Sequence, residues 1–310
     1  VTAEIHRLPI EHETAGIAAG GASAFHHRDA KTATGQLPCR AKSRRAATQN
    51  HNRPAIHCYI GHSDPLSLRT VILTYHSIDE SGSVISVSPS QFRRHMEIPV
   101  VPLSAVRATP GAVALTFDDG YRNFLEVAVP DLLRYRFPAT VFVVNGYCGL
   151  DNNWPTQPPF APRLPLMSWR ELEQVAAQGI TLGAHSVTHP FLTRLPAERI
   201  RAELSDCRQT IETRLDVVCE GLAYPYGDSD ARVREVASEV FRFACGTRPD
   251  FLSPSADPFN LPRIDAYYVR DPRRFQLLFS PAGRPYIALR RWARGLKALS
   301  PGVEPAPKRG

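Results

Sequence analysis

Two adjacent carboxylates, Asp118 and Asp119, follow the apolar run Ala112 to Leu115 and the pair Thr116-Phe117, and precede Gly120-Tyr121. Neighbouring carboxylates repel each other unless a cation or a proton separates their roles. Further along, His185-Ser186-Val187-Thr188-His189-Pro190 offers two imidazoles four residues apart. One carboxylate with two histidines is the ligand set of a catalytic zinc site, which keeps one coordination position open for water. The spare carboxylate can then serve as general base. Singly, these residues also read as a helix-capping aspartate and two hydrogen-bonded histidines; the joint pattern favours a metal and outlines a hydrolase.

Such residues need a scaffold that brings them to one place. From Thr70 onward, strand-like and helix-like patterns alternate. Val71 to Tyr75, Ala112 to Phe117, Ala139 to Val144, Ile180 to Ala184, Leu222 to Tyr224 and Phe243 to Cys245 read as strands. Tyr121 to Tyr135 reads as a helix kinked or broken by Pro130. Ser168-Trp169-Arg170-Glu171 is a capping box opening a helix that Gly179 ends. Pro196 to about Leu215 and Asp230 to Phe241 read as further helices. Continuous apolar strands alternating with amphipathic helices indicate an α/β fold with a mainly parallel sheet or barrel. There, chemistry gathers at the C-terminal ends of strands. The aspartate pair, His185 and the Pro225-Tyr226-Gly227 turn all follow expected strands.

Composition narrows the function classes. The net charge of +7 is carried by the ends: residues 1–69 hold nine basic against five acidic groups, and 286–310 hold six against one. Residues 70–285 hold 22 against 24, so the body has no nucleic-acid footprint and no nucleic-acid partner is expected. Six cysteines without C-x-x-C spacing give no zinc-ribbon pattern. No stretch approaches the roughly 20 apolar residues of a membrane span. Residues 1–68 lack sustained periodicity and read as a poorly ordered or non-genuine extension. Residue 1 is Val and the first Met is Met96, consistent with a non-standard start, a fragment or a displaced start. No secretory signal is visible, which reads as cytoplasmic by sequence, with envelope association if the start is displaced. Tyr286 to Leu299 interleaves apolar and basic residues and reads as a helix capping the core, with weak contact to an anionic membrane surface as the other reading.

Thr116-Phe117-Asp118-Asp119-Gly120-Tyr121, His185-Ser186-x-x-His189-Pro190 and Pro225-Tyr226-Gly227 occur in the order and approximate spacing of the polysaccharide deacetylases, the NodB-homology family (carbohydrate esterase family 4). The resemblance covers roughly residues 70–279. It implies a distorted (β/α) barrel, one catalytic domain over 69–285 with loose termini, and a basic C-terminal helix and tail over 286–310. By the same resemblance Asp119, His185 and His189 hold a divalent metal, Zn²⁺ first, with Co²⁺ or Ni²⁺ accepting the same ligands. Asp118 matches the base that takes a proton from the attacking water, and the Tyr226 backbone N–H matches a donor to the oxyanion. The implied substrate is an N-acetylated glycan.

Two departures stand out. The family's arginine two residues before the motif's proline is Ala223 here. Arg263, in Leu261-Pro262-Arg263-Ile264-Asp265, is the expected substitute, a surface arginine in a strand being the alternative. The chain also lacks any histidine after His189, where many members carry the general acid. His76, ending the first strand, is the expected replacement, since imidazole can release a proton near neutral pH; a packing histidine is the alternative. The Tyr75-His76 strand end resembles the branch acting on exported poly-N-acetylglucosamine and related exopolysaccharides. The Pro- and Asn-rich stretch 149–167, with Trp154, Phe160 and Trp169 nearby, reads either as the border of a carbohydrate groove or as loop packing. The expected activity is hydrolysis of N-acetyl groups from N-acetylglucosamine-type residues. A catalytically degenerate glycan-binding protein is the alternative, motivated by the two departures. A phosphatase with paired aspartates fits less well: Asp118 and Asp119 are adjacent rather than two apart, and the histidine pair would be left unexplained.

Overall fold

Short, largely β-branched apolar runs become strands here, and longer amphipathic ones become helices. The structure, a computed structural model, describes residues 69–299. Its strands are β1 (Val71–Tyr75), β2 (Ser77–Ile78), β3 (Ser86–Val87), β4 (Val113–Phe117), β5 (Thr140–Val143), β6 (Thr181–Ala184), β7 (Gly221–Ala223), β8 (Phe243–Cys245) and β9 (Ile264–Asp265). β2 and β3 pair with each other; the rest form one parallel sheet in the order β8-β7-β6-β5-β4-β1-β9. β1, β4 and β5 are buried along their whole length, as a parallel sheet covered on both faces requires. The sheet curls until one short segment touches both of its edges. Leu261 bridges Cys245 of β8, while Ile264 and Asp265 pair with Leu73 and Thr74 of β1. The result is the distorted (β/α) barrel that the motifs imply.

The helices are α1 (Pro89–Arg94), α2 (Val129–Tyr135), α3 (Trp169–Ala177), α4 (Ala197–Leu215), α5 (Ala231–Val240), α6 (Pro272–Leu278) and α7 (Gly283–Leu299). The expected capping box forms: Glu171 N–H donates to Ser168 Oγ at 3.3 Å, and Ser168 N–H to Glu171 Oε2 at 2.7 Å. At Pro130 the chain neither breaks nor continues regularly. A π-helical turn over Phe124–Ala128 leads into α2. Proline lacks the N–H that would bond the carbonyl four residues back, and its ring crowds that carbonyl, so a widened turn accommodates it. α1, α6, β2 and β3 had no sequence expectation; at two to seven residues they are too short to show a period.

The C-terminal helix begins at Gly283, three residues before the expected Tyr286. Ile287 is buried in the main core and the Tyr286 hydroxyl donates to Tyr268 O, so its first turns are part of the barrel's packing. Leu289 and Trp292 are exposed. Residues 1–68 and 300–310, including Cys39 and Cys58, lie outside the described residues. Cys148, Cys207, Cys219 and Cys245 are free thiols, and burial pushes the pKa of Cys148, Cys219 and Cys245 up to about 12. Among the described residues no helix is long and apolar enough to cross a membrane.

One core residue gives the fold a pH dependence. His95 is buried, hydrogen-bonded through Nδ1 to the Tyr75 hydroxyl at 2.8 Å and stacked on Phe275 at 4.0 Å. Burial pushes its pKa down to about 4, with Val269 opposing only in part. An unfolded histidine titrates at about 6.5. Between those values the unfolded chain binds a proton that the folded chain refuses, so stability falls as pH drops from about 6.5 to about 4, by on the order of 3 kcal/mol. His95→Gln is expected to flatten this part of a urea-midpoint-against-pH curve. An unchanged slope would assign the acid lability to other groups.

Candidate active site

The ends of β4 and β6 place the two motifs at one rim of the barrel. Asp118 stays in sheet register, its N–H donating to Tyr75 O at 2.9 Å. The chain then turns through two left-handed residues, Asp119 (φ 69°) and Gly120 (φ 78°). His185 N–H donates to Val143 O at 2.9 Å, after which Ser186 (φ 66°) and His189 (φ 56°) are also left-handed. Tyr226 follows β7 with φ 59°. Among the described residues only two other non-glycine positions have positive φ, Arg136 and Asp216, and both cap helix C-termini. Left-handed backbone at an L-residue costs on the order of 1–3 kcal/mol and persists where surroundings over-determine it. Here it is concentrated around the two motifs.

Glu203 of α4 supplies part of that over-determination. Its buried carboxylate accepts from Val187 N–H and Thr188 N–H at 2.9 Å each, and from the Thr188 hydroxyl at 2.7 Å. Ser186 Oγ accepts from His189 N–H at 2.9 Å. The loop between the two histidines is thus held at every residue. Replacing Glu203 with Gln keeps the shape and removes the charge from these bonds. We expect a loss of about 1–3 kcal/mol in stability and roughly 10- to 100-fold weaker metal binding. Wild-type affinity by competition with a chromophoric chelator would show that the loop needs no such anchor.

The candidate ligand atoms meet closely. Asp119 Oδ1 lies 3.4 Å from His185 Nε2 and 3.4 Å from His189 Nε2, and the two Nε2 atoms are 3.3 Å apart. A tetrahedral ion bound at about 2.0–2.1 Å separates its ligand atoms by about 3.3–3.4 Å, so the triangle fits zinc. All three residues are buried. His185 Nδ1 lies 2.7 Å from Ala223 O, which fixes the ring with Nε2 facing the other two ligands. Burial pushes the Asp119 carboxyl pKa up, but the His185 hydrogen bond and His189 outweigh it and hold the group well below the usual range. Burial lowers His189 to about 3, leaving a neutral imidazole. For His185 burial also acts downward, but Asp119 and Asp118 outweigh it and raise the pKa. The field where the three atoms meet therefore favours positive charge.

Asp118 sits beside this triangle in the grip of Arg263. Arg263 Nη1 and Nη2 donate to its two carboxylate oxygens at 2.7 Å each, a bidentate fork, and Arg263 Nε donates to Gly246 O at 2.9 Å. Arg263 is only 1% exposed, so it is not the surface arginine of the alternative reading. Burial pushes the Asp118 pKa up; the Arg263 charge outweighs this and keeps the carboxylate below its ordinary value. Position 223 packs as a buried alanine, and the guanidinium that does lie beside Asp118 arrives from the neighbourhood of β9. His76 Nε2 stands 3.9 Å from Asp118 Oδ2, beyond hydrogen-bond distance, and is partly open to solvent.

Stretch 149–167 packs against the site. Trp154 is 3% exposed, its ring 4.3 Å from that of His189, and its Nε1 donates to the Tyr226 hydroxyl at 3.0 Å. That hydroxyl donates to Thr156 O, and Thr156 Oγ1 donates to His189 O at 2.7 Å. Trp169 is half-buried beneath Arg214, so of the three aromatics only Phe160 faces solvent. Sequence reasoning missed Trp154 and Thr156 as neighbours of His189, Glu203 as loop anchor, and Asp265. Asp265 has its pKa raised by burial, with His76 opposing. One signal was available: Glu203 falls on the buried stripe Ile200, Leu204, Cys207 and Ile211 of α4, where an unpaired charge would be costly.

A family model described as polysaccharide deacetylase matches residues 105–240. The chitooligosaccharide deacetylase of Rhizobium leguminosarum bv. trifolii is 26% identical over 175 residues, 56% of this chain and 71% of that protein. The poly-β-1,6-N-acetyl-D-glucosamine N-deacetylase of Staphylococcus aureus is 22% identical over 163 residues, 49% of this chain and 53% of that one. Among solved structures, the Streptococcus pyogenes deacetylase PplD in complex with acetate aligns with a TM-score of 0.59 at 20% identity, over 69% of this chain and 99% of that chain. With the curled parallel sheet and the motif order, these matches carry one conclusion: residues 105–240 carry a polysaccharide deacetylase domain, on a fold like that of the solved deacetylases.

Proposed function

We propose that the protein is a metal-dependent hydrolase that removes N-acetyl groups from N-acetylglucosamine-type residues of a glycan, releasing acetate and leaving a free amine. The observation that carries this reading is the 3.3–3.4 Å triangle of Asp119, His185 and His189 beside the arginine-held carboxylate of Asp118. The relatives named for chitooligosaccharide and poly-β-1,6-N-acetylglucosamine support the substrate class.

Asp119, His185 and His189 would hold the ion, Zn²⁺ first. When bound, it supplies Lewis-acid polarisation of the acetamide carbonyl and acidifies the attacking water. Asp118 takes the proton from that water; Arg263 orients its carboxylate and keeps it ionised. The Tyr226 turn, fixed by its left-handed backbone and by Trp154 and Thr156, would offer its backbone N–H to the oxygen that gains charge. His76, across from Asp118 and partly exposed, hands a proton to the departing amine. Trp154 walls the metal ligands from solvent.

The direct test is acetate release from N-acetylglucosamine oligomers by the protein as purified, after chelation, and after restoring Zn²⁺ or Co²⁺. Release that chelation abolishes and metal restores is the expected result. Binding of metal and oligomer without acetate release from any oligomer would give precedence to the degenerate glycan-binding reading.

A further inference from the structure

Arginines gather on a flank of the barrel that the proposed reaction does not use. Five line a groove of about 780 Å³: Arg69 just before β1, Arg107 before β4, Arg248 after β8, and Arg284 and Arg291 on α7. A smaller depression of about 340 Å³ shares Arg248 and Arg291, adds Arg294, and reaches Gly227, next to Tyr226. Together they form a basic path from the rim of the candidate active site to the start of β1. Neither Asp119, His185 nor His189 lines it.

Charge along this path is poorly balanced among the described residues. Asp250 is the one carboxylate lining the groove, and it is shared by Arg248 at 3.1 Å and by Arg291. Arg69 donates to the carbonyls of Leu278, Ser280 and Pro281 and lies 5.1 Å over the Phe251 ring; none of these partners carries charge. Arg294 donates to the Thr247 carbonyl and hydroxyl. Arg107 has only the Ala256 carbonyl, at 3.4 Å. Burial and the like charge of Arg284 hold Arg69 below its usual pKa.

The partners above account for Arg69, Arg248 and Arg291; Arg107 and Arg284 are exposed and line the same concavity. Guanidiniums of one sign lining a concavity attract anions. Their forked N–H groups match phosphoryl oxygens in pairs, and five of them exceed what a single carboxylate needs. The groove's size is that of a small-ligand site rather than of a lone ion. The smaller depression reaches Gly227 in the Tyr226 turn, so a long ligand of the active site has a path toward the groove.

We propose that this groove binds a phosphate or pyrophosphate group carried by the glycan substrate, so that the protein selects phosphorylated sugar chains. The sugar part of that ligand rests on the deacetylase reading; the anion site itself does not.

The test is calorimetric titration of the full chain with inorganic pyrophosphate at fixed ionic strength. Saturable binding is expected, weakened about tenfold or more in the Arg107→Ala/Arg284→Ala double variant, since each lost bond to a charged group is worth roughly that factor. Asp250→Asn, which removes the groove's carboxylate, is expected to tighten binding. Both variants should release acetate from neutral N-acetylglucosamine oligomers at the wild-type rate. Pyrophosphate held by a metal at Asp119, His185 and His189 would be indifferent to all three substitutions, and that outcome overturns the proposal. So does an absence of saturable binding, or arginine-dependent pelleting with phosphatidylglycerol vesicles without pyrophosphate binding, which would make the flank a membrane face. If pyrophosphate binds as expected and no acetate is released from any oligomer, the groove stands and the deacetylase reading falls.

Discussion

Asp118→Asn is expected to lower kcat for acetate release by about 10²- to 10⁴-fold, the usual contribution of a positioned general base, while Zn²⁺ binding persists. Asparagine has nearly the same shape and can still accept a hydrogen bond from Arg263, but it cannot take a proton. Asp119, His185 and His189 are untouched, so the ligand triangle remains. A second effect must be kept apart from the first. Arg263 is fully buried, and removing its counter-charge leaves a guanidinium in low dielectric, which costs stability. Rates therefore have to be compared well below each variant's melting midpoint, with bound metal measured on the same samples. Asp119→Asn gives the contrasting pattern, losing metal affinity first and activity as a consequence. A folded, metal-loaded Asp118→Asn protein with wild-type kcat would remove Asp118 from the reaction.

That a pair of aspartates emerges at a strand end was legible in the sequence because the signal is local; which of the two joins the histidines was implied only by the family resemblance. An apolar strand, two carboxylates and a glycine fix where the side chains emerge, and a four-residue histidine spacing offers a candidate ligand pair. Strands β1 and β4 to β8 were legible for the same reason: each is a short apolar run bounded by a turn residue or a cap. What was not legible depends on contacts far apart in the chain. Glu203 bonds Val187 and Thr188 from a helix that begins eight residues after His189, and only its awkward place on an apolar stripe hinted at this. Trp154 read as an aromatic suited to a sugar ring or to packing; burial against His189 settles it as packing. The loss of the family's arginine at Ala223 was plain, but the compensating geometry required the curl of the sheet. Only because residues 261–265 touch both edges does Arg263 arrive beside Asp118, some 145 positions away in sequence.

Arg263→Met should be the most destabilising single substitution in the barrel. The methionine is apolar and flexible enough to occupy much of the volume, so the main effect is electrostatic. Asp118 is left buried without its partner, a change worth about 3–5 kcal/mol, or on the order of 10 °C in melting midpoint for a domain of this size. Part of that cost is avoidable, because the carboxylate can protonate. In the native protein burial acts to raise the Asp118 pKa and Arg263 reverses it, so the group's stabilising contribution is present above the unfolded value and lost as pH falls through the lowered folded value. Without Arg263, burial acts unopposed by the guanidinium and the pKa rises. The acid limb of the activity profile should then move to higher pH, a shift that a purely structural role for Arg263 would not produce. Arg263→Lys keeps the charge but loses the fork, and should fall between wild type and Met in both readouts. The double variant Asp118→Asn/Arg263→Met completes the cycle. With neither charge present nothing is left unpaired, so it should be more stable than either single variant would suggest by addition. Additive losses would mean that the two residues do not act as one unit, and that Ala223 has no functional counterpart at position 263.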